Sequence, residues 1–182
     1  MNMKKILTAI LCAGLALLFA AGCMGGTNTA NDKETGDEAS SLKASDYKND
    51  LEGLSNYFAA YGYVNPQKPS TYVDMDASLI GAKKGRKYTS TTIKNTTIEL
   101  YEYDTAKLNA QGKEIIASVK KDGTFTILDL PSTKAYLSDN GKFLMVYSDK
   151  SIDDANPKKD DENYKTRATV IDQFKEFHAD GK

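Results

Sequence analysis

Residues 97–103 read Thr97-Ile98-Glu99-Leu100-Tyr101-Glu102-Tyr103. β-Branched and aromatic residues dominate the stretch, and side chains along a strand alternate between faces, so it is expected to form a strand. Ile98 and Leu100 fall on one face and Glu99 and Tyr101 on the other, the pattern of a sheet with one covered side. Tyr101 and Tyr103 are therefore expected on an exposed face. They are the candidate binding face of this chain, because tyrosine offers a rigid amphipathic surface to peptides and sugars. Tyr88 is expected on the same kind of exposed strand surface.

On the N-terminal side, residues 87–93 repeat the Thr, Ile and Tyr content, and Lys94-Asn95 suits the turn between two strands. Further upstream, Tyr47, Leu51, Leu54, Phe58 and Tyr61 recur at steps of four and three, which predicts a helix capped by Ser45 and closed by Gly62. Asp76 is expected to cap a short helical turn ending at Ile80. On the C-terminal side, a helix over residues 105–121 is expected from the Asp104 cap and the stripe Leu108, Ile115, Ile116 and Val119. A strand over 124–130 stops at Pro131. Residues 134–138 and 142–148 then flank Asp139-Asn140-Gly141, and Asn-Gly favours a type I′ hairpin in which both residues take positive φ. The charged stretch 151–163 reads as a loop, and residues 164–178 read as a helix presenting Val170, Ile171, Phe174 and Phe177. The order predicts an α+β domain: a mostly antiparallel sheet of four to five strands with helices packed on one face. The segments 100–104 and 145–149 echo each other, too briefly to mark a duplication.

The chain has 182 residues. That is room for one core, here expected over residues 42–182. Its 24 basic residues include Lys4 and Lys5, which depart with the expected leader and leave 22 against 25 acidic residues. A nucleic-acid binder shows a basic excess or stripe, so nucleic acid is excluded as a partner class.

Lys4 and Lys5 precede an apolar run, residues 6–21, and then Gly22 and Cys23. The run is shorter than the roughly 20 residues of a spanning helix, and its three-part layout is that of a secretory signal. The four residues Ala20-Ala21-Gly22-Cys23 resemble the lipobox of bacterial lipoproteins, with Ala20 where leucine is usual. The resemblance implies a signal peptide over residues 1–22, cleavage before Cys23, and a thioether-linked diacylglycerol on that cysteine, usually with an acyl chain on its amine. Two acyl chains hold stably where one binds reversibly, so the implied partner is a membrane and the implied location its extracytoplasmic face. Residues 23–41 are then the lipidated cysteine and a polar tether, spanning roughly 20 to 25 Å if it behaves as a flexible coil. The other cysteine, Cys12, lies in the leader, so thiol chemistry and disulfides are not expected in the mature chain. The stretch Ile80-Gly81-Ala82-Lys83-Lys84-Gly85-Arg86-Lys87-Tyr88, with the acidic, aromatic strand after it, resembles small uncharacterised lipoproteins of low-GC Gram-positive bacteria. That resemblance implies no catalytic residues.

The single histidine, His178, is expected at the surface near a helix end, and a histidine-based zinc site cannot be built on it alone. Glycoside hydrolysis uses paired carboxylates, and pairs such as Asp74 with Asp76 or Glu99 with Glu102 are not singled out by the sequence from its 25 acidic residues. Asp74 and Asp76 lack the glycine and further oxygens of a calcium loop, and 153–162 reads as a solvated acidic loop. Gly81 and Gly85 are followed by Arg86-Lys87 rather than the Lys-Ser/Thr of a phosphate loop. No catalytic residue, cofactor or metal is expected. The leading expectation is a noncatalytic binding or accessory domain for a protein, peptide or glycan; the alternatives are a cell-wall or glycan hydrolase and a structural subunit of a membrane complex.

Overall fold

The computed structural model describes residues 42–128 and 130–180. The expected leader, Cys23 and the expected tether lie outside the described residues. The fold is α+β, with a five-stranded antiparallel sheet and three helices. The strands are β1 (Tyr72–Asp74), β2 (Lys84–Thr89), β3 (Thr96–Glu102), β6 (Tyr136–Leu137) and β7 (Phe143–Asp149), in the order β1-β2-β3-β7-β6. Two short strands, β4 (Thr124–Phe125) and β5 (Thr133–Lys134), pair with each other beside it. The helices are α1 (Leu51–Ala60), α2 (Ala110–Asp122) and α3 (Glu162–Glu176).

β3 is the centre of the sheet, paired along its length with β2 and β7. Its register sorts the core. Ile98 and Leu100, opposite Tyr147 and Met145, form one cluster with Leu54 and Phe58 of α1 and Val170 and Phe174 of α3. Tyr101, opposite Leu144, joins Tyr103 and Val146 in a second cluster with Ile115, Ile116 and Val119 of α2. Helices therefore cover both faces, where the alternation of residues 97–103 predicts one. The reason lies in tyrosine itself: its ring packs as an apolar body while its hydroxyl needs only one partner, so a Tyr-rich face can be buried.

Local chemistry moves several element ends. Ser45 sits in a short 3-10 turn, Ala44–Asp46, and the cap of α1 is Asp50, whose Oδ1 accepts the Gly53 N–H at 2.8 Å. Asp104 uses Oδ1 on the Ala106 N–H at 3.2 Å, so α2 starts later, with Asn109 accepting from Gly112 at 2.7 Å. Asp76 caps the 3-10 turn Ala77–Ile80 as expected, and Gly81 ends it at φ 68° against the first turn of α2. Strand structure in 124–130 stops after Phe125. In the 138–142 turn only Gly141 has positive φ, so the type I′ expectation fails. Asn140 instead spends its side chain, accepting from Ser138 Oγ and Lys142 N and donating to the carbonyls of Phe177 and His178. One amide thus ties the hairpin to the end of α3.

Candidate functional site

The candidate binding face is not a surface. Tyr101 is 6% exposed and Tyr103 fully buried. Tyr101 donates to Glu99 Oε2 at 2.9 Å, and Tyr103 donates to the Ile80 carbonyl at 3.2 Å. Burial pushes both hydroxyls well above the usual tyrosine range, with the neighbouring Glu99 charge adding to it for Tyr101. Tyr88 is also fully buried, within the cluster that α1 covers. The expectation of an exposed tyrosine face is corrected because α2 lies where solvent was expected.

His178 is also not on the surface. It is 7% exposed, has φ 50°, and its Nε2 lies 2.9 Å from the Tyr47 carbonyl, with the ring edge-on to Phe177. It fastens the segment before α1 to the end of α3. The carboxylate pairs do not assemble. Glu99 and Glu102 sit three residues apart on opposite faces of β3, Asp74 is paired with Arg86 at 2.7 Å, and Asp76 is spent on its cap. In the acidic loop, Asp153 accepts turn N–H groups, which hold its carboxyl below the usual range, and Asp161 caps α3. No group of three or more His, Cys, Asp or Glu is placed to hold a metal among the described residues.

What the fold does assemble is a polar cleft of about 390 Å³ at one end of the sheet, where β2 begins, β3 ends and β7 begins. Asn49, Lys83, Glu102, Asp104, Asn140 and Lys142 line it. Strand parity aims Glu102 at the face that Ile98 and Leu100 occupy, and its side chain is 3% exposed. It is the one buried carboxylate among the described residues. Leaving such a charge unpaired costs several kcal/mol, on the order of 3 to 5 when a buried partner is lost, so its partners are obligatory. Oε2 accepts the Leu51 N–H at 3.0 Å, in the first turn of α1 where the helix dipole favours an anion. Oε1 faces two ammonium groups, Lys83 at 3.4 Å and Lys142 at 3.9 Å. Lys142 also donates to the Asn49 carbonyl.

The backbone sets this geometry. The Lys83 N–H donates to the Glu102 carbonyl at 2.7 Å, and the Tyr103 N–H to the Lys142 carbonyl at 2.9 Å, so the roots of both lysines are fixed to the strand that carries the acid. Two cations meet one buried anion, and Lys83 is 54% exposed with N–H donors left over. The arrangement can hold an acidic group at its mouth. Because both oxygens of Glu102 are already engaged, it is poorly placed to move a proton to or from a substrate.

In the sequence Glu102 stands out only as half of a possible carboxylate pair, and nothing local marks Lys83, Lys142 and Asn49 as its neighbours. The available signal was parity: an acid two residues after Leu100 on the apolar face implies a buried, paired charge. A second groove, of about 360 Å³, includes Asn56, Gln67 and Tyr72, but Arg86 lies over the Tyr72 ring at 4.3 Å and covers it.

Comparison with protein-family models, with curated proteins and with solved structures gives no match.

Proposed function

We propose that this chain is an exported lipoprotein, tethered through lipid on Cys23 to the extracytoplasmic face of a membrane, whose domain is a noncatalytic binding module. The leader and Gly22-Cys23 support the anchor. The observation that carries the binding reading is the cleft in which Lys83 and Lys142 share the one carboxylate of Glu102. The ligand it fits is small and pairs an acidic group for the exposed Lys83 ammonium with a hydrogen-bond donor for Asp104, which lines the same cleft.

Two measurements test the reading separately. Cells fed a fatty-acid analogue are expected to label the wild type and not Cys23→Ser; equal labelling of both removes the anchor. Isothermal titration with a galacturonic-acid dimer and a glutamyl dipeptide is expected to give binding that Lys83→Ala weakens about tenfold, the order of one charge-assisted contact. If neither ligand, nor a wider acidic panel, depends on Lys83, the cleft is only a structural charge cluster.

A second reading, a hydrolase, draws on Asp104 lining the same cleft as Glu102. Turnover of a glycan substrate that disappears in Asp104→Asn would establish it in place of the noncatalytic one.

A further inference from the structure

The sheet has an unfinished edge. β7 is paired over all seven residues with β3, but on its other side β6 reaches only Leu144 and Met145. Upstream of Tyr136 the chain peels away: the Ala135 N–H donates to the Gly123 carbonyl and β5 pairs with β4 instead. Among the described residues, no strand pairs with the outer side of residues 146–149.

Parity identifies the groups that this leaves open. In an antiparallel pair, successive residues direct their N–H and C=O to alternate sides. The Ser138 N–H donates to the Phe143 carbonyl, whereas the Tyr103 N–H donates to the Lys142 carbonyl, so odd-numbered residues of β7 face outward and even-numbered ones face β3. Tyr147 and Asp149 are the outward residues beyond the end of β6. The Asp149 carbonyl accepts from Ile152. Among the described residues, the N–H and C=O of Tyr147 and the N–H of Asp149 have no main-chain partner and remain for an incoming strand.

These groups border a cleft of about 340 Å³ between β5 and β7, room for a few extended residues. Its lining carries three cations, Lys134, Lys150 and Arg167, against two carboxylates, Asp149 and Asp154, a formal excess of one positive charge. Asp149 accepts from Ser151 N at 2.7 Å and Asn163 Nδ2 at 2.8 Å, and Asp154 is held by Arg167 at 2.7 Å and Lys134 at 3.9 Å. Lys150 is exposed and its ammonium group has no partner among the described residues, and Lys134 is half exposed. We infer that the open edge of β7 at Tyr147–Asp149 is a strand-addition site for an extended acidic peptide, with main-chain hydrogen bonds supplying the affinity and Lys134 and Lys150 selecting the charge.

The probe is a fluorescent peptide of three Glu-Val repeats, added to the full chain in detergent solution. Binding is read by anisotropy and the bound segment by hydrogen exchange. The expected result is saturable binding, slowed exchange confined to residues 146–150, at least tenfold weaker binding of the same peptide N-methylated on alternate residues, and a similar loss in Lys134→Glu/Lys150→Glu. Both substituted lysines are exposed, and an unchanged thermal melt of the double variant shows that the fold is intact. A Lys-Val peptide binding as well as Glu-Val, equal binding of the N-methylated peptide, protection elsewhere, or no binding at millimolar protein each overturns the proposal. So does protection of 146–150 that rises with protein concentration without peptide, which makes the edge an interface between copies.

Discussion

Glu102 Oε2 accepts the Leu51 N–H at 3.0 Å, joining the end of the central strand to the first turn of a helix 51 residues earlier in the chain. The contact is buried and charge-assisted, the kind worth about 1.5 to 3 kcal/mol. Glu102→Gln, which keeps the shape and loses the charge, is expected to destabilise the domain by about that amount in urea melts. Glu102→Ala, which also strands Lys142 and the N–H, should cost on the order of 3 to 5 kcal/mol. Glu99→Gln, at a less buried pair with Lys87 where glutamine still leaves an oxygen to accept from the Tyr101 hydroxyl, is the control and should cost about 1 kcal/mol or less. Equal effects at both positions would show that Glu102 is not a joint between strand and helix.

Gly85 and Tyr101 face each other in register across β2 and β3, and a Cβ on Gly85 would stand 2.5 Å from the Tyr101 ring and 3.3 Å from Met75 Cβ. Tyr101→Ala empties a buried site and should cost roughly 3 to 5 kcal/mol, as for other buried aromatic rings. Gly85→Ala should cost about 1 to 3 kcal/mol by overpacking. Combined, the two should cost less than their sum, because the first removes what the second strikes; a strictly additive pair of melts would place the ring elsewhere.

Gly53 tests a conflict between local preference and packing. Alanine in a helix is favoured over glycine by about 1 kcal/mol, yet a Cβ at this position would lie 1.9 Å from the Lys48 carbonyl oxygen, which crosses the first turn of α1. Gly53→Ala is therefore expected to lower the melting temperature. A rise would mean that residues 47–50 do not pass over the helix in this way.

Burial raises the hydroxyl pKa of Tyr57, Tyr101 and Tyr103, the Tyr61 contact adding to it at Tyr57 and Glu99 at Tyr101. In the folded chain these groups keep their protons above the usual pKa of about 10, while the unfolded chain releases them there. The folded form then binds more protons than the unfolded one, so stability is fully present below about pH 10 and falls as pH rises beyond it. Absorbance titration of the tyrosines is expected to show a late group that ionises only as the domain unfolds, above the usual tyrosine range. Ionisation of all of them in one ordinary step would place these rings in water.

Alternation and periodicity made much of the architecture readable. Ile98 and Leu100 mark the central strand, the Leu51-Leu54-Phe58 and Val170-Phe174 steps mark two helices, and Asp76, with Gly81 after it, marks a capped turn; each depends on neighbours along the chain. The exact helix starts were less readable, because Ser45, Asp46, Asp50 and Asp104 can all accept an N–H, and tertiary crossings such as that of Lys48 over Gly53 decide which one does. The proposed leader and the proposed lipid site at Cys23 rest on the sequence by itself, on local order and composition.

Only the tertiary structure decided which side of the sheet meets water. The residues 97–103 have the same pattern whether or not α2 folds back over Tyr101 and Tyr103, because a tyrosine face can lie under a helix as readily as under solvent. The same holds for the cleft and the open edge. Lys83, Glu102 and Lys142 come together through strand pairing between distant segments, and the β7 edge is open because β5 leaves it for β4, a choice of partner that no local stretch of sequence encodes.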